Sequence, residues 1–428
     1  MNTPQILTRR TFIKNAAITG AVVSAMPLFN IRAQSKTGGR KFKIGLVGCG
    51  GRGTGAVDNI LEAAKTMGHT IEVVAVADFF QEKADKVAAK FPGCRAYAGA
   101  DAYHKVVAEK EIEIILLATP PIFRPLHFAA AVAAGKHCFI EKPVAVDPVG
   151  VRKVIAIGEV AKQKGLTIVA GTQRRHMADY QHNQNAIAQG AIGKITGGNI
   201  SWCGGTLWFK ERAPGESDAS YLVRNWTSFA EMSGDHIVEQ HVHQLDVTNW
   251  FLGRPPVSAI GFGGRARRKT GNQFDFFSVD FNYGDDCHIH SMCRQVKGCY
   301  DNVGEFYIGT EGTTYGGGNK MKSANLDKLN IPEFKTHANG QVQEHVDMLA
   351  AIAADKPING AKDVAESTMT AIMGRIACYT GQQVRWSDLM TNAESQWFNL
   401  TLKPASADFE GGTVVAPKDE VCPIPGAA

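Results

Sequence analysis

The run Gly48-Cys49-Gly50-Gly51-Arg52-Gly53 places glycines at the first, third and sixth positions of a turn, a spacing suited to holding a pyrophosphate. Each glycine has its own reason to be there. Gly48 permits the tight turn, Gly50 lets the backbone approach the phosphates, and Gly53 allows a helix to pack closely on a strand. A helix that begins at the turn offers free backbone N–H groups and the positive end of its dipole to the anion. Asp78 lies 25 residues beyond Gly53, where a carboxylate accepts hydrogen bonds from ribose hydroxyls and repels a 2′-phosphate, which points to NAD rather than NADP. Farther on, Glu141-Lys142-Pro143 sets an ammonium beside a proline turn, suited to stabilising alkoxide charge or moving a proton. A third concentration of reactive side chains, His236, Glu239, His241 and His243, lies within residues 233–246. His236 and Glu239 have helical i, i+3 spacing while His241 and His243 suit a strand, a mixture that matches no known zinc pattern, and no metal is assigned.

These groups need a scaffold that brings distant residues together. Residues 43–47 form an apolar run directly before the glycines, residues 57–67 have helical composition, and residues 72–77 form a second apolar run that ends in Asp78. Further runs at 112–118, 137–140 and 167–170 alternate with helical stretches such as 125–134. That alternation predicts an α/β fold with a doubly wound parallel Rossmann sheet over residues 41–170. Ligands bind beyond the C-terminal ends of such strands, so Thr119, Pro120, His127, Glu141, Lys142 and Gln173 join residues 48–53 and Asp78 as cofactor contacts. After residue 170, segments 197–203, 257–262, 274–283 and 288–295 read as strands, several with period-two alternation. They predict a second α/β domain over residues 171–395 with an open, mostly antiparallel sheet, its substrate contacts on the face toward the first domain. Helical periodicity marks 341–354 and 365–380, and residues 396–428 are expected along the surface as an extension.

Substrate-contact candidates in the second domain are aromatic or multiply hydrogen-bonding. Trp208 and Trp226, near Trp202 and Tyr221, offer faces for a sugar ring, while Arg174, Arg224, Asn225, His241 and Arg294 can bond its hydroxyls, with His290 a further candidate.

Residues 1–34 read as a targeting segment, with Arg9-Arg10 in a twin-arginine pattern and a mildly apolar stretch too short to cross a bilayer. The route of that class carries folded proteins, so the expected location is periplasmic with cofactor loaded before export. The full chain of 428 residues has a formal charge of +5; the segment holds four basic residues and no acid, leaving +1 for the rest. Near-neutral charge argues against nucleic acid as a partner. Arg265, Arg267, Arg268 and Lys269 form the one basic run and read as a solvated loop. No later segment calls for membrane insertion. Nine cysteines lack metal spacing and read as small buried hydrophobes, although Cys287, Cys293 and Cys299 are close enough in sequence to pair.

Residues 48–53, Asp78, Thr119-Pro120 and above all Glu141-Lys142-Pro143 resemble the Gfo/Idh/MocA family, the relatives of glucose-fructose oxidoreductase and inositol dehydrogenase. The likeness extends to residues 180–195, similar to that family's first helix after the Rossmann domain. It implies a sugar or cyclic polyol substrate, oxidation at a hydroxyl, and Lys142 as the active-site lysine. Matching the family's D-x-x-x-H element through its trailing H-x-x-D implies His243 as general base and Glu239 as its partner, four residues apart on one helix face. Glu stands where the family has Asp, and His241 where it commonly has a small residue. The expected protein is an exported NAD-dependent oxidoreductase, a homo-oligomer that retains its cofactor. The alternatives are an NAD-dependent glycoside hydrolase acting by transient C3 oxidation and a non-catalytic sugar-binding protein.

Overall fold

In Lys41–Val47 (β1) Phe42, Ile44 and Leu46 are buried on one face and Val47 on the other. A strand buried on both faces belongs inside a parallel sheet. Its sheet also contains Thr70–Asp78 (β2), Arg95–Ala98 (β3), Ile114–Leu117 (β4), His137–Ile140 (β5) and Ile168–Ala170 (β6), all parallel, in the order β3-β2-β1-β4-β5-β6. The order reverses between β1 and β4, which opens a crevice at their C-terminal ends. The computed structural model describes residues 39–318 and 320–426; the Arg9-Arg10 segment lies outside the described residues.

Helix Gly51–Thr66 covers the face that carries Ile44, Leu46, Ile114 and Leu116. Helices Arg124–Ala133 and Pro148–Gln163 cover the other, through Phe128 and Val151. Asp147 caps the latter helix, its Oδ1 accepting from the Gly150 N–H at 2.7 Å ahead of Pro148 in the first turn.

The second sheet contains Ile195–Gly204 (β7), Ser258–Gly264 (β8), Phe276–Asn282 (β9), His288–Gln295 (β10), Asn302–Gly309 (β11), Gly312–Tyr315 (β12), Lys322–Ser323 (β13) and Val384–Arg385 (β14). Their order is β13-β12-β11-β7-β10-β9-β8-β14, antiparallel except for β7 beside β10. Phe277, Val279, Phe281, Ile289 and Cys293 line its buried face, against which helix Ala361–Thr380 packs. A Cβ on Gly374 of that helix would lie 2.7 Å from the Phe281 ring, so the absence of a side chain sets how close helix and sheet come. The opposite face exposes Ile260, Phe262, Met292 and Ile308.

Several boundaries differ from the sequence reading. The helix expected to run to 195 ends as Ala178–Ala188, because Gly190 turns the chain at φ +85° and β7 begins at Ile195. Short strands β3, β12 and β13 and the strand β11 were not expected. Residues 339–360 return to the first domain: helix Gly340–Ala353 places Val342, Met348 and Leu349 in the core of the parallel sheet, and Ile168 N–H donates to the Ile358 carbonyl at 2.8 Å. The C-terminal stretch is more than a surface extension, since Trp397, Leu402 and Phe409 are buried. All nine cysteines are free, so Cys287, Cys293 and Cys299 do not pair.

Replacing Phe281 by Ala removes the seat of Gly374 and is expected to cost about 3–5 kcal/mol. The measurement is the urea midpoint at constant m-value, and a loss below about 1 kcal/mol would show that the helix does not rest on this ring.

Candidate active site at the domain junction

The glycine turn forms because two of its positions exclude a side chain. Gly48 has φ +101°, and a Cβ there would lie 2.6 Å from the Ala118 carbonyl carbon. A Cβ on Gly53 would lie 1.8 Å from the Gly48 oxygen, whereas Gly50 and Gly51 face open space, with nothing within 4 Å of a Cβ. Asp78 anchors the turn from the end of β2: Oδ2 accepts from the Cys49 N–H at 2.7 Å and Oδ1 from the Phe80 N–H at 3.0 Å. A cleft of about 630 Å³, open solvent included, runs past Gly48, Gly50, Asp78, Thr119, Pro120 and His127. The excluded Cβ positions, the open pair of glycines and the carboxylate at the strand end together fit a dinucleotide, with Gly48–Gly53 for the pyrophosphate and Asp78 for the ribose.

His127 forms part of the cleft wall. Its Nδ1 lies 3.1 Å from Thr119 Oγ1, its ring packs on Tyr103 at 4.2 Å, and burial lowers its pKa to about 3. Cys49 turns its thiol inward to the Ala77 carbonyl, so only its backbone faces the turn. Arg52 is directed to Glu141 Oε1 at 3.0 Å and Asn59 Oδ1 at 2.6 Å. Lys83, Tyr103 and Phe123 also line the cleft and were absent from the sequence-derived set. Phe123 follows Pro121, where a short turn leads into helix Arg124–Ala133.

At the end of β5 the chain turns through Glu141-Lys142-Pro143, buttressed by buried Arg124, which donates to the Pro143 carbonyl. Burial lowers the Arg124 pKa to about 10, with the charges of Glu141 and Glu239 opposing that fall. Lys142 Nζ reaches the second domain and donates to the Glu239 carbonyl at 2.6 Å and to Glu239 Oε1 at 2.9 Å. An ammonium has three protons, so one is left for a bound hydroxyl.

Glu239 and His243 do not share a helix, as their spacing had suggested. Glu239 ends the turn His236–Glu239 and His243 lies in Val242–Leu252, with a break at Gln240-His241. The turn His236–Glu239 starts from Asp235, held at φ +80° while its carboxylate accepts from the Phe274 N–H at 3.2 Å and the Tyr379 hydroxyl at 2.5 Å. The histidines then diverge. His236 Nδ1 lies 3.1 Å from Asp235 Oδ1, and His241 Nε2 lies 2.7 Å from Ser291 Oγ. His243 stacks on Trp202 at 5.7 Å, and among the described residues its ring makes no side-chain hydrogen bond. Burial, followed by the charges of Lys142 and Arg174, holds its pKa well below the ordinary imidazole value. No group of three or more His, Cys, Asp or Glu able to hold a metal occurs among the described residues.

Arg174 pairs with Glu305 Oε1 at 2.5 Å, and both its terminal nitrogens lie 2.9 Å from the Gln244 amide, oriented so that the amide oxygen is the one facing them. Gln173 begins the same turn after β6. The register turns Arg294 and His290 away from this region. Ser291 and Cys293 stand opposite Ile200 and Trp202 on the covered face, so Arg294 and His290 project to the other, where Arg294 meets the Tyr300 carbonyl at 2.6 Å and His290 meets Ser278 at 3.0 Å. Asn225 is fully buried and ties Lys210 N–H at 2.8 Å and the Lys210 carbonyl at 3.0 Å, holding the loop rather than facing a ligand. Arg224 pairs with Glu216 at 2.8 Å. Trp208 is half exposed, and Trp226 lines the dinucleotide cleft. Arg124 and Glu305 escaped the sequence reading of the site because only tertiary packing brings them near it, while Trp202, weighed there as a face for a sugar ring, instead stacks on His243.

His345 is buried against Phe139 with neither ring nitrogen bonded, and burial lowers its pKa to about 3. The unfolded chain takes up its proton below about pH 6.5 while the folded one does not, so the contribution is intact above that value and lost as pH falls toward 3. Urea unfolding at several pH values should show His345→Leu flattening the acid limb by up to about 1.4 kcal/mol per pH unit. Parallel limbs in variant and parent would show that this imidazole is not held neutral.

Known proteins place this geometry. The family profile for the NAD-binding Rossmann fold of the Gfo/Idh/MocA oxidoreductases matches residues 42–172, and the profile for that family's C-terminal domain matches residues 180–314. The inositol 2-dehydrogenase of Rhodococcus jostii (strain RHA1) is 28% identical over 217 residues, 50% of this chain and 51% of the relative. The 2,7-anhydro-N-acetylneuraminate hydratase of Escherichia coli (strain K12) is 26% identical over 184 residues, 42% of this chain and 45% of the relative. The matched region thus spans about half the length of these relatives. Among solved structures, levoglucosan dehydrogenase with NADH and levoglucosan superposes with a TM-score of 0.63 at 16% identity, over 81% of this chain and 99% of that one. Scyllo-inositol dehydrogenase of Lactobacillus casei with NAD(H) and scyllo-inositol gives 0.61 at 19%, over 81% and 99%. Two adjoining profiles that together take in most of the chain, over a Rossmann sheet with an NAD-type turn, make this protein a member of the Gfo/Idh/MocA oxidoreductase family.

Proposed function

We propose that the protein is an exported oxidoreductase that oxidises a hydroxyl of a neutral sugar, glycoside or cyclic polyol and retains its NAD between turnovers. The observation that carries this reading is the reach of Lys142 from the first domain into the second, where its ammonium donates to the Glu239 carbonyl at 2.6 Å and to Glu239 Oε1 at 2.9 Å, just ahead of the helix that carries His243, whose pKa is held down by burial and then by the Lys142 charge. NAD, when bound, supplies the hydride acceptor. His243, neutral at working pH and without a side-chain partner, takes the hydroxyl proton. Lys142 donates its remaining proton to the same oxygen and stabilises negative charge there. Glu239 holds the ammonium in place, and Trp202 fixes the plane of the imidazole.

The charge pattern supports a neutral substrate. Lys142, Arg174 and Arg175 are paired with Glu239, Glu305 and Asp246, the last two carboxylates almost fully buried. An anionic substrate would have to displace one of these carboxylates, whereas hydroxyls need only the remaining donors and acceptors. Relatives and structural neighbours named for inositols and levoglucosan agree with this class. The exposed apolar face of the second sheet supports association between copies.

A second reading has its own support. The hydratase relative carries a name without net redox change, and an exported enzyme that oxidised C3, eliminated the aglycone, added water and reduced C3 again would restore NAD in every cycle. Purified protein incubated with aryl glycosides separates the two: keto-sugar accumulation is expected from the dehydrogenase, and aglycone release without added acceptor from the hydrolase. Lys142→Ala and His243→Ala are each expected to lower turnover by about 10²–10⁴-fold. Unchanged turnover in both would leave a sugar-binding protein as the better description.

Export rests on Arg9-Arg10. Fractionation of cells expressing the full chain should place it in the periplasm and Arg9→Lys/Arg10→Lys in the cytoplasm. Equal distribution of the two would remove the export claim while leaving the chemistry untouched.

A further inference from the structure

The C-terminal stretch beyond residue 396 touches neither Lys142 nor His243, yet it reaches both walls of the dinucleotide cleft from behind. On the first-domain wall, the Tyr103 hydroxyl donates to Glu410 Oε1 at 2.8 Å. The Tyr103 ring packs at 4.2 Å on His127, which also stacks with Phe123 at 5.8 Å and an interplanar angle of 7°. Phe123 in turn meets buried Phe409 edge-on at 4.9 Å. Tyr103, Phe123 and His127 all line the cleft, so Phe409 and Glu410 back its aromatic wall.

The second domain contributes Val223 and Trp226 to the lining of the cleft, its other wall. They belong to consecutive turns, Asp218–Arg224 and Trp226–Ser228, and the same tail fastens that segment at two points. Asp218 Oδ2 accepts from the Ala416 N–H at 2.8 Å, and the Tyr221 hydroxyl donates to Asp419 Oδ2 at 2.9 Å. Asp419 is itself fixed by the Gly271 N–H at 3.0 Å, with the Glu420 N–H returning to the Gly271 carbonyl at 2.7 Å. A single run of chain, residues 409–420, therefore spans from one wall to the other.

We infer that the C-terminal tail is a strap that holds the two walls of the NAD cleft together, with Glu410 and Asp419 as positioning residues that set how fast the cofactor leaves. Widening the cleft separates Tyr103 from Tyr221, and the tail resists it because its two ends are bonded to these tyrosines. Widening the cleft to let a bound dinucleotide escape then requires the tail to loosen at Glu410 on the first-domain side or at Asp419 and Ala416 on the other. This rests on NAD as the occupant of the cleft and gives the proposed retention a structural cause.

The test is the dissociation rate of NADH, followed by loss of its fluorescence when the loaded full-length protein is mixed with excess NAD. Glu410→Ala/Asp419→Ala is expected to release NADH at least tenfold faster, while Glu410→Gln, which keeps an acceptor for Tyr103, returns the Glu410 side to the parent rate. The melting temperature of the cofactor-free variants serves as a second readout. Parent-like release rates in Glu410→Ala/Asp419→Ala, whether or not its melting temperature drops, would overturn the strap. A parent protein that releases NADH rapidly, with the variant faster still, would instead remove the retention reading and keep the strap.

Discussion

A charge withdrawn from water needs a partner, and near the strand ends of the parallel sheet four ion pairs satisfy it, each with at least one member largely buried. Arg52 meets Glu141, Lys142 meets Glu239, Arg174 meets Glu305 and Arg175 meets Asp246. Removing one member of a buried pair costs about 3–5 kcal/mol, because the other is stranded. A surface pair such as Lys41–Glu72 contributes about 0–1 kcal/mol. The buried pairs therefore constrain the geometry of the cleft far more than the peripheral ones do. Lys142–Glu239 has the additional property of joining the two domains, so the Lys142 ammonium is also a tie between them.

The same requirement separates the roles of neighbouring histidines. His236 and His241 are occupied by Asp235 and Ser291, which makes them struts for the broken helix. His243, one turn on, is held by packing on Trp202 instead of by a hydrogen bond, so its nitrogens stay available. Three imidazoles within eight residues thus acquire different chemistry from their partners alone.

Much of the first domain was legible because its signals are local. A glycine that cannot carry a Cβ, a strand buried on both faces and a carboxylate at a strand end are each properties of a few adjacent residues, and the turn at Gly48–Gly53 and Asp78 follow from them. The second domain was less legible. Period-two alternation finds β10 but cannot say which of its faces is covered, which is why Arg294 looked like a ligand contact. The turn His236–Glu239 starts from Asp235 at φ +80°, a conformation whose carboxylate is held by Tyr379 from a helix more than a hundred residues away. Asn225 looked available because its loop is polar, yet its amide closes that loop on Lys210. Such long-range partners leave no trace in spacing or composition.

Helix Gly340–Ala353 has a consequence for how the molecule comes into being. Its Val342, Met348 and Leu349 complete the core that holds Phe42, Ile44 and Phe139, although some two hundred residues of the other domain separate them in the chain. The nucleotide-binding part is therefore not a contiguous module that a ribosome can finish early, since its apolar flank waits for a segment made near the end of synthesis. Domains usually fold as units from the N-terminus onward; here the first unit to begin is among the last to close. An architecture completed only late in translation leaves the nascent chain without the full core beneath its glycine turn until residues 340–353 have been made.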